Sequence, residues 1–244
     1  MSDEPPPVFE IAGLSKKYGG LRPLRLRSLT VPHGQVVALV GFDAPAAETL
    51  VNLLTGATLP DEGEVRVFGR GTGDITDADD WLQTIDRFGI VSDRAVLLDE
   101  LTAAQNLAMT LTLEIDPLPP STREAVDALA REVSLDAATL DRTVGTLGPV
   151  EKLRVRLGRA IALGPAVLLM EHPTATVPRE VVSGFAADVV RLASGRGLTV
   201  LVMTADAAFA EALTPAAWKV VPADGTLVPI ESAGWRRIRR LLGG

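Results

Sequence analysis

The stretch VVALVGFDAPAAETLVNLLTG, residues 36–56, joins a short apolar run to a helical pattern through a loop that starts with glycine. The apolar run ends before Gly41, and the helical pattern extends from Ala46 to Leu54. A buried strand, a tight loop and a helix in this order are typical of sheets whose helices pack on parallel strands. Such a loop also presents backbone N–H groups at a helix N-terminus, where phosphate binds readily. The stretch therefore predicts an α/β fold with a candidate phosphate loop.

The side chains that would hold phosphate in this loop are replaced. Against the pattern G-x-x-x-x-G-K-S/T begun at Gly41, Ala46 stands for the second glycine and Ala47 for the lysine. Glu48 stands for the metal-binding hydroxyl, and only Gly41 and the next residue, Thr49, are retained. Two like charges about 4 Å apart repel by about 4 kcal/mol at an effective dielectric constant of about 20. The carboxylate of Glu48 alone is therefore expected to weaken polyphosphate binding roughly a thousandfold.

The composition favours a folded protein without a membrane span. Hydrophobic residues make up 47 % of the 244 residues and aromatic residues 4 %, so Ala, Val and Leu supply a core of helices on a sheet. No apolar run approaches the roughly 18 residues of a transmembrane helix, and the acidic, Pro-rich N-terminus does not have the pattern of a signal peptide. The net charge of -7 argues against a general nucleic-acid-binding protein, and the lack of cysteine excludes disulfides. We expect a cytoplasmic protein, although the lack of cysteine is itself silent about the compartment.

Strand-like and helix-like patterns alternate along the chain. Strands are predicted over residues 8–14, 24–31, 35–40, 64–68, 85–91, 166–170 and 198–203, and an edge hairpin over 218–221 and 226–228. Helices are predicted over residues 46–54, 101–113, 121–133, 150–163, 179–193 and 207–213. Two signals mark helix starts: Thr102 is a candidate cap, and Ser121 and Glu124 have the spacing of a capping box.

Strands that alternate with helices of this length predict a mainly parallel sheet with helices on both faces. We expect one domain over residues 8–230, which includes a helical sub-domain at approximately 98–141. Residues 1–7 are expected to form a disordered tail, and residues 231–244 a basic C-terminal helix. The run WRRIRR within that helix is either a solvated helix end or a contact with a partner or lipid headgroups.

Four ordered blocks of the chain carry a more specific likeness than the loop does. They are LTGATLPDEGEVRVFG at residues 54–69, LTAAQNL at 101–107, LGPVEKLRVRLGRAIALGPAVLLMEHPTA at 147–175 and TVLVMTAD at 199–206. Together they resemble the ATP-binding cassette family, the nucleotide-binding subunits of ABC transporters, over residues 9–227. The resemblance implies a P-loop NTPase-like ABC ATPase fold, with a mainly parallel sheet flanked by helices, antiparallel edge strands and a helical sub-domain. It also implies a dimer that receives a membrane permease near the helical sub-domain, at the inner face of the membrane.

The resemblance assigns roles to individual positions, and most of them carry other residues here. Tyr18 fits the aromatic residue that stacks on adenine, although ordinary packing explains a tyrosine beside a turn equally well. Asp93 stands where the family has a glutamine that senses metal and γ-phosphate. Gly148 stands for the serine of the signature L-S-G-G-Q, which is LGPVE in this chain.

The acidic motif and the switch position also differ from the family pattern. Glu171 replaces the aspartate of the Mg²⁺ shell and keeps a carboxylate, so it is a candidate metal ligand. His172 replaces the glutamate that acts as general base, and an imidazole can in principle accept a proton near neutral pH. Ala205 replaces the switch histidine. Every motif that contacts phosphate in the family is therefore altered, whereas the strands and helices around these motifs are kept.

These substitutions predict a non-hydrolysing pseudo-ATPase that serves as a structural or regulatory subunit of a membrane transport complex, without a bound cofactor. Its expected partners are a membrane permease and an intact ATPase subunit. One alternative is an active subunit that binds ATP and Mg²⁺ and uses Tyr18, Glu171 and His172. Another alternative is a soluble module that binds a different, less anionic ligand in a hollow lined by Ala46, Ala47 and His172.

Overall fold

The structure is a computed structural model that describes residues 5–230, which form two β-sheets with helices packed around them. The predicted basic helix over residues 231–244 lies outside the described residues, as do residues 1–4 of the predicted tail. Residues 5–7 belong to no helix or strand, and the carbonyl oxygen of Pro6 lies 3.0 Å from Nε2 of His33.

Strands and helices follow one another along most of the chain. The strands are β1 (Phe9–Lys16), β2 (Leu24–Val31), β3 (Val36–Val40), β4 (Glu62–Val67), β5 (Arg70–Gly71), β6 (Phe88–Val91), β7 (Val167–Glu171), β8 (Thr199–Thr204), β9 (Ala217–Val220) and β10 (Leu227–Pro229). The helices are α1 (Ala44–Leu54), α2 (Ala78–Ile85), α3 (Ala103–Ala108), α4 (Pro120–Glu132), α5 (Ala137–Leu140), α6 (Pro149–Ile161), α7 (Arg179–Arg196) and α8 (Ala207–Leu213). Single turns of 3₁₀-helix occur at Thr72–Asp74 and Val144–Thr146.

Six strands form the central sheet, in the order β10-β9-β3-β8-β7-β6. The strands from β9 to β6 are parallel to one another, and β10 pairs antiparallel with β9 as the predicted edge hairpin. A second sheet is antiparallel and has the order β2-β1-β4-β5. The predicted fold class, an α/β fold with a mainly parallel sheet, antiparallel edge strands and flanking helices, is confirmed.

The central sheet is buried on both faces, as its apolar strands predict. Every residue of β7 is buried. Val167 and Leu169 pack in a cluster with α1 and the antiparallel sheet, whereas Leu168 and Met170 pack with α6, α7 and α8. Successive side chains of a strand point to opposite faces, so a strand covered on both sides needs an unbroken apolar run. This packing places the carboxyl ends of β3, β6 and β7 beside the start of α1.

Helix α1 begins at Ala44, two residues before the predicted start at Ala46. Oδ1 of Asp43 accepts a hydrogen bond of 2.8 Å from the backbone N–H of Ala46 and so caps the helix. Pro45 lies in the first turn, where the missing N–H leaves no helical bond unmade. The loop after β3 is therefore shorter than the sequence pattern suggested.

Helix α2 is not predicted from the sequence, and it shortens the strand predicted over residues 85–91. Ile85 ends α2 rather than starting a strand, and β6 begins three residues later. The helix begins because Oδ1 of Asp77 accepts a hydrogen bond of 2.9 Å from the backbone N–H of Asp80. No residue of α2 is fully buried, although its apolar residues Ala78, Trp81, Leu82 and Ile85 have helical spacing.

Helices α3 and α4 test the two predicted start signals. Thr102 is confirmed as a cap, because its Oγ1 accepts a hydrogen bond of 3.1 Å from the N–H of Gln105. The helix it starts ends earlier than the predicted range of 101–113. The predicted capping box of Ser121 and Glu124 is wrong, since α4 begins one residue before Ser121 and has no side-chain cap.

Candidate functional site

The retained glycine of the phosphate loop is required by the backbone. Gly41 has a φ of +105°, which side chains other than hydrogen rarely tolerate. Its N–H donates to the carbonyl oxygen of Thr204 at 3.1 Å, and an added Cβ would lie 3.4 Å from the carbonyl oxygen of Val220. Gly41 is therefore explained by the turn between β3 and α1, whether or not a phosphate binds there.

Polar groups at the start of α1 are bonded to one another. The carboxylate of Asp43 occupies the N–H of Ala46, and the hydroxyl of Thr49 donates to the carbonyl oxygen of Pro45 at 2.7 Å. The N-terminus of this helix attracts a negative charge, and Asp43 supplies that charge from within the chain. The hydroxyl of Thr49 is likewise directed back to its own helix.

A cluster of charged side chains lies where α1 meets the ends of β6 and β7. Nη1 of Arg94 lies 2.9 Å from Oε1 of Glu48, and Nε of Arg94 lies 3.2 Å from Oε2 of Glu171. Nη2 of the same guanidinium donates to Oε1 of Glu171. Glu48, Arg94 and Glu171 are called the carboxylate–arginine cluster below. The cluster places a fixed cation between two of the positions at which the sequence introduces carboxylates.

Both oxygens of Glu171 have hydrogen-bond donors. In addition to the two bonds from Arg94, the hydroxyl of Ser92 donates to Oε2 of Glu171 at 3.0 Å. Glu171 is 8 % exposed, so its charge needs a partner to be tolerated. The hydrogen bond to Glu171 raises the pKa of Arg94, partial burial opposes this, and the charges of Glu171 and Glu48 add to it. The predicted metal ligand is thus saturated by groups of the chain itself.

Arg94 was not identified from the sequence. The sequence pattern singles out its neighbour Asp93, which stands for the family's glutamine. In the structure Asp93 faces a different partner, because its Oδ1 lies 3.0 Å from Nη1 of Arg156 on α6. The available signal was a cation one residue after Asp93 at the end of a strand. The partner of this cation could be identified only from the order of the strands, which places β6 beside β7.

The start of α6, which carries the altered signature, lacks a side chain at the N-cap residue Gly148, and its polar groups are instead bonded to Glu151. The N–H of Gly148 donates to Oε2 of Glu151 at 2.7 Å. Oε1 of Glu151 accepts a hydrogen bond of 2.7 Å from Nη1 of Arg142. The N–H of Gly148 and the charge of Glu151 are therefore both used inside the subunit.

His172 has a strained backbone and an unsatisfied side chain. Its φ is +43°, a value that is uncommon for residues other than glycine. Nδ1 accepts a hydrogen bond of 3.3 Å from the N–H of Ala205, which leaves the ring proton on Nε2. Nε2 is buried and has no hydrogen-bond partner among residues 5–230. His172 also lines a cavity of about 530 Å³ together with Thr174 and Asp206, whose side chains are hydrogen-bonded to each other at 2.9 Å.

Tyr18 lines a smaller cavity of about 150 Å³, on the other side of the loop, with Gly41 and Ala46. Burial raises the pKa of Tyr18, and the nearby carboxylate of Asp43 adds to this. Ala47 is fully buried, and His172 lies in the larger cavity described above. The prediction that Ala46, Ala47 and His172 line one hollow is therefore wrong.

The chain belongs to the ABC transporter family, whose sequence profile matches residues 24–175. The methionine import ATP-binding protein MetN of Brucella abortus is 27 % identical over 232 residues, which cover 94 % of this chain and 61 % of MetN. The phosphonates import ATP-binding protein PhnC of Anaeromyxobacter dehalogenans is 32 % identical over 208 residues, which cover 80 % of this chain and 40 % of PhnC. The chain thus spans about three-fifths or less of these relatives.

Two solved structures share the fold. The structure of cbiO1 from Clostridium perfringens, part of the ABC transporter complex cbiONQ, has a TM-score of 0.76 at 18 % identity and covers 97 % of this chain and 94 % of its own. The dimeric structure of a bacterial ABC transporter cassette has a TM-score of 0.73 at 19 % identity and covers 92 % of this chain and 99 % of its own. The predicted ABC ATPase fold is confirmed.

Residues 5–230 contain neither a membrane-spanning helix nor a cluster of metal ligands. Within residues 5–230, no helix has the length and apolar character that crossing a membrane requires. The same residues contain no group of three or more His, Asp and Glu side chains suited to hold a metal ion. 

Proposed function

We propose that this chain is a non-hydrolysing subunit of an ABC transport complex, with a structural or regulatory role. The carboxylate–arginine cluster is the observation that carries the proposal. Arg94 gives Glu48 and Glu171 an internal cation, at the place where the family binds a metal and polyphosphate. The chain then folds with its charges balanced and needs no nucleotide for that purpose.

The residues present do not supply the groups that binding of Mg–ATP requires. Ala47 supplies no cation, and Asp43 occupies an N–H at the start of α1. Glu48 would lie beside the polyphosphate, where two like charges about 4 Å apart repel by about 4 kcal/mol at an effective dielectric constant of about 20, a repulsion that the ion pair with Arg94 reduces. Binding a metal at Glu171 would also require Arg94 to leave a buried carboxylate. These effects act in the same direction and favour a subunit without a nucleotide cofactor.

A groove beside the helical part of the chain is proposed to receive a permease. It has a volume of about 300 Å³, and its lining includes the apolar residues Phe88, Ala95 and Leu163 together with two arginines of α6. Leu163 is 70 % exposed, and Val96, next to Ala95, is 69 % exposed. Exposed apolar side chains around a concave surface are typical of protein interfaces. The proposed occupant is an apolar segment of a membrane permease, which would place this chain at the inner face of the membrane.

The relatives support an assembly of this kind. MetN and PhnC are named as import ATP-binding proteins, and cbiO1 is described as part of a transporter complex. We propose that this chain pairs with an intact ATPase subunit, as the second cassette of a dimer. In the family each ATP lies between the phosphate loop of one subunit and the signature of the other, so both sites of such a pair would contain an altered half. The N–H of Gly148 in the altered signature is already used by Glu151, and this chain would serve the pair as a scaffold or regulator.

Equilibrium binding of a fluorescent ATP analogue in the presence of Mg²⁺ tests the absence of nucleotide chemistry. We expect no saturable binding at micromolar concentrations and no release of phosphate from ATP. An intact ABC cassette measured under the same conditions is the positive control. Micromolar binding that is lost in Tyr18→Ala would contradict the proposal and support the active subunit that uses Tyr18, Glu171 and His172.

A further inference from the structure

Residues 92–99, called the connecting segment here, follow β6 and contain neither helix nor strand. Side chains from two directions nevertheless hold this segment. On one side, Arg94 binds the two carboxylates of the carboxylate–arginine cluster. On the other side, Nη1 of Arg159 on α6 donates to the carbonyl oxygen of Val96 at 2.7 Å. A stretch without regular structure is thus tied to both the phosphate loop and α6.

The far end of the connecting segment is held by a buried amide. Oδ1 of Asn106 on α3 accepts a hydrogen bond of 2.9 Å from the N–H of Leu98, and its Nδ2 donates to the carbonyl oxygen of Leu98 at 3.0 Å. Asn106 is fully buried. The connecting segment is therefore held at its start by β6 and near its end by Asn106. Between these two points, the order of Arg94 and the residues after it depends on charged side chains.

Partial burial lowers the pKa of Arg159, and the neighbouring charge of Arg156 adds to this. Both arginines lie on α6 and face the connecting segment, where Arg156 pairs with Asp93. The cation that binds the carbonyl oxygen of Val96 is therefore Arg159, which lies near the like charge of Arg156. The α6 side therefore also holds the connecting segment, through Arg156 and Arg159.

We infer that Arg94 is a positioning residue that holds the connecting segment, and with it one wall of the permease groove, without any nucleotide. Ala95, the next residue, lines that groove. The guanidinium is covalently part of the segment, so it cannot dissociate as a metal or nucleotide would. The groove would then keep one geometry regardless of the ATP concentration. The role in permease docking rests on the proposed function, whereas the ordering of the segment does not.

Hydrogen–deuterium exchange of the full chain tests the inference without a partner. In Arg94→Ala we expect the amides of residues 93–97 to exchange about tenfold faster or more, because a charge-assisted bond to a buried group is lost. Arg123→Ala is a matched control, since the Arg123 side chain is 42 % exposed against 47 % for Arg94 and also pairs with two carboxylates, Asp127 and Asp141. This control should leave exchange in the connecting segment unchanged.

A milder variant keeps the test valid if Arg94→Ala does not fold. Glu48→Gln removes only the exposed partner of Arg94, and we expect a rise in exchange of about two- to threefold in the same segment. Unchanged exchange of residues 93–97 in the folded variants would overturn the inference.

A second arm separates the inference from the proposed function. The wild-type chain should show the same exchange in the connecting segment with and without Mg–ATP. Protection of this segment by Mg–ATP would contradict the proposed function, because a nucleotide would then bind. Such protection would also remove the independence from ATP that the inference claims, whereas unchanged exchange in the variants would overturn only the role of Arg94, so the two failures are distinguishable.

Discussion

Glu171 and His172 are neighbours in the sequence, yet their side chains lie in opposite environments. Both carboxylate oxygens of Glu171 receive hydrogen bonds, from Arg94 and from Ser92. Nε2 of His172 is buried, and no acceptor is found for it among residues 5–230. On one side of this strand end, the replacement of the family's residues is balanced by a new ion pair. On the other side, it leaves a donor without an acceptor.

The two environments differ in what they contribute to stability. A buried donor without an acceptor costs about 1–3 kcal/mol, and a left-handed φ at a residue other than glycine adds strain of about 1–3 kcal/mol. His172 combines both features beside a cavity of about 530 Å³. The carboxylate–arginine cluster, in contrast, resembles a satisfied structural ion pair. The comparison indicates that the cluster compensates its charges, so that loss of one partner would be costly, and that His172 weakens the fold.

The largest effect is expected from Arg94→Ala, which removes the cation and leaves Glu171 buried without a counter-charge. Loss of one partner of a buried pair is expected to lower the free energy of unfolding by about 3 kcal/mol. Urea unfolding followed by circular dichroism measures the change. Arg123→Ala should change stability by no more than about 1 kcal/mol, since its partners are exposed. Equal losses in the two variants would remove the distinction between the cluster and an ordinary surface ion pair.

His172→Asn should act in the opposite direction. Asparagine tolerates a positive φ and removes the buried Nε2–H, so we expect the free energy of unfolding to rise by about 1 kcal/mol. His172→Val is the paired variant, and its β-branched side chain at this φ should lower stability by about 1–2 kcal/mol. A clear loss of stability in His172→Asn would show that the imidazole has a role that the unpaired nitrogen does not reveal.

The smallest effect is expected from Glu48→Gln, because the Glu48 side chain is 43 % exposed and Arg94 keeps its pair with Glu171. The loss should be under about 1 kcal/mol and should shrink as salt screens the exposed pair. Unfolding measured at low and at high ionic strength checks both statements. A loss as large as that of Arg94→Ala would mean that Glu48, rather than Glu171, is the main partner of Arg94.

Much of the fold followed from apolar patterns along the chain. The bounds of β2 agree with the predicted strand, and α8 agrees with the predicted helix, because each presents a clear period to the core. Helix α2 was not predicted, although Ala78, Trp81, Leu82 and Ile85 have the spacing of an amphipathic helix. The start of α4 was misplaced because a capping-box spacing is only a local signal, and Pro120 begins the helix without a side-chain cap.

The candidate site was predicted less completely than the fold. The replaced positions, from Ala47 to His172, were visible in the sequence because they break a pattern of fixed spacing. The internal cation was not visible, since Arg94 belongs to none of these motifs. Its two partners are 46 and 77 residues away in the chain, so no local pattern could connect them.

The sequence by itself determined the class of fold, the places where phosphate-binding residues are replaced and the negative charges brought to them. Those features are properties of residue type and spacing along one dimension. Only the tertiary structure decided how the charges are balanced, because balance depends on which strand ends are neighbours. The parallel pairing of β6 with β7 brings Arg94 to Glu171, whereas His172, which follows β7 with a φ of +43°, has a buried Nε2 without a partner among residues 5–230.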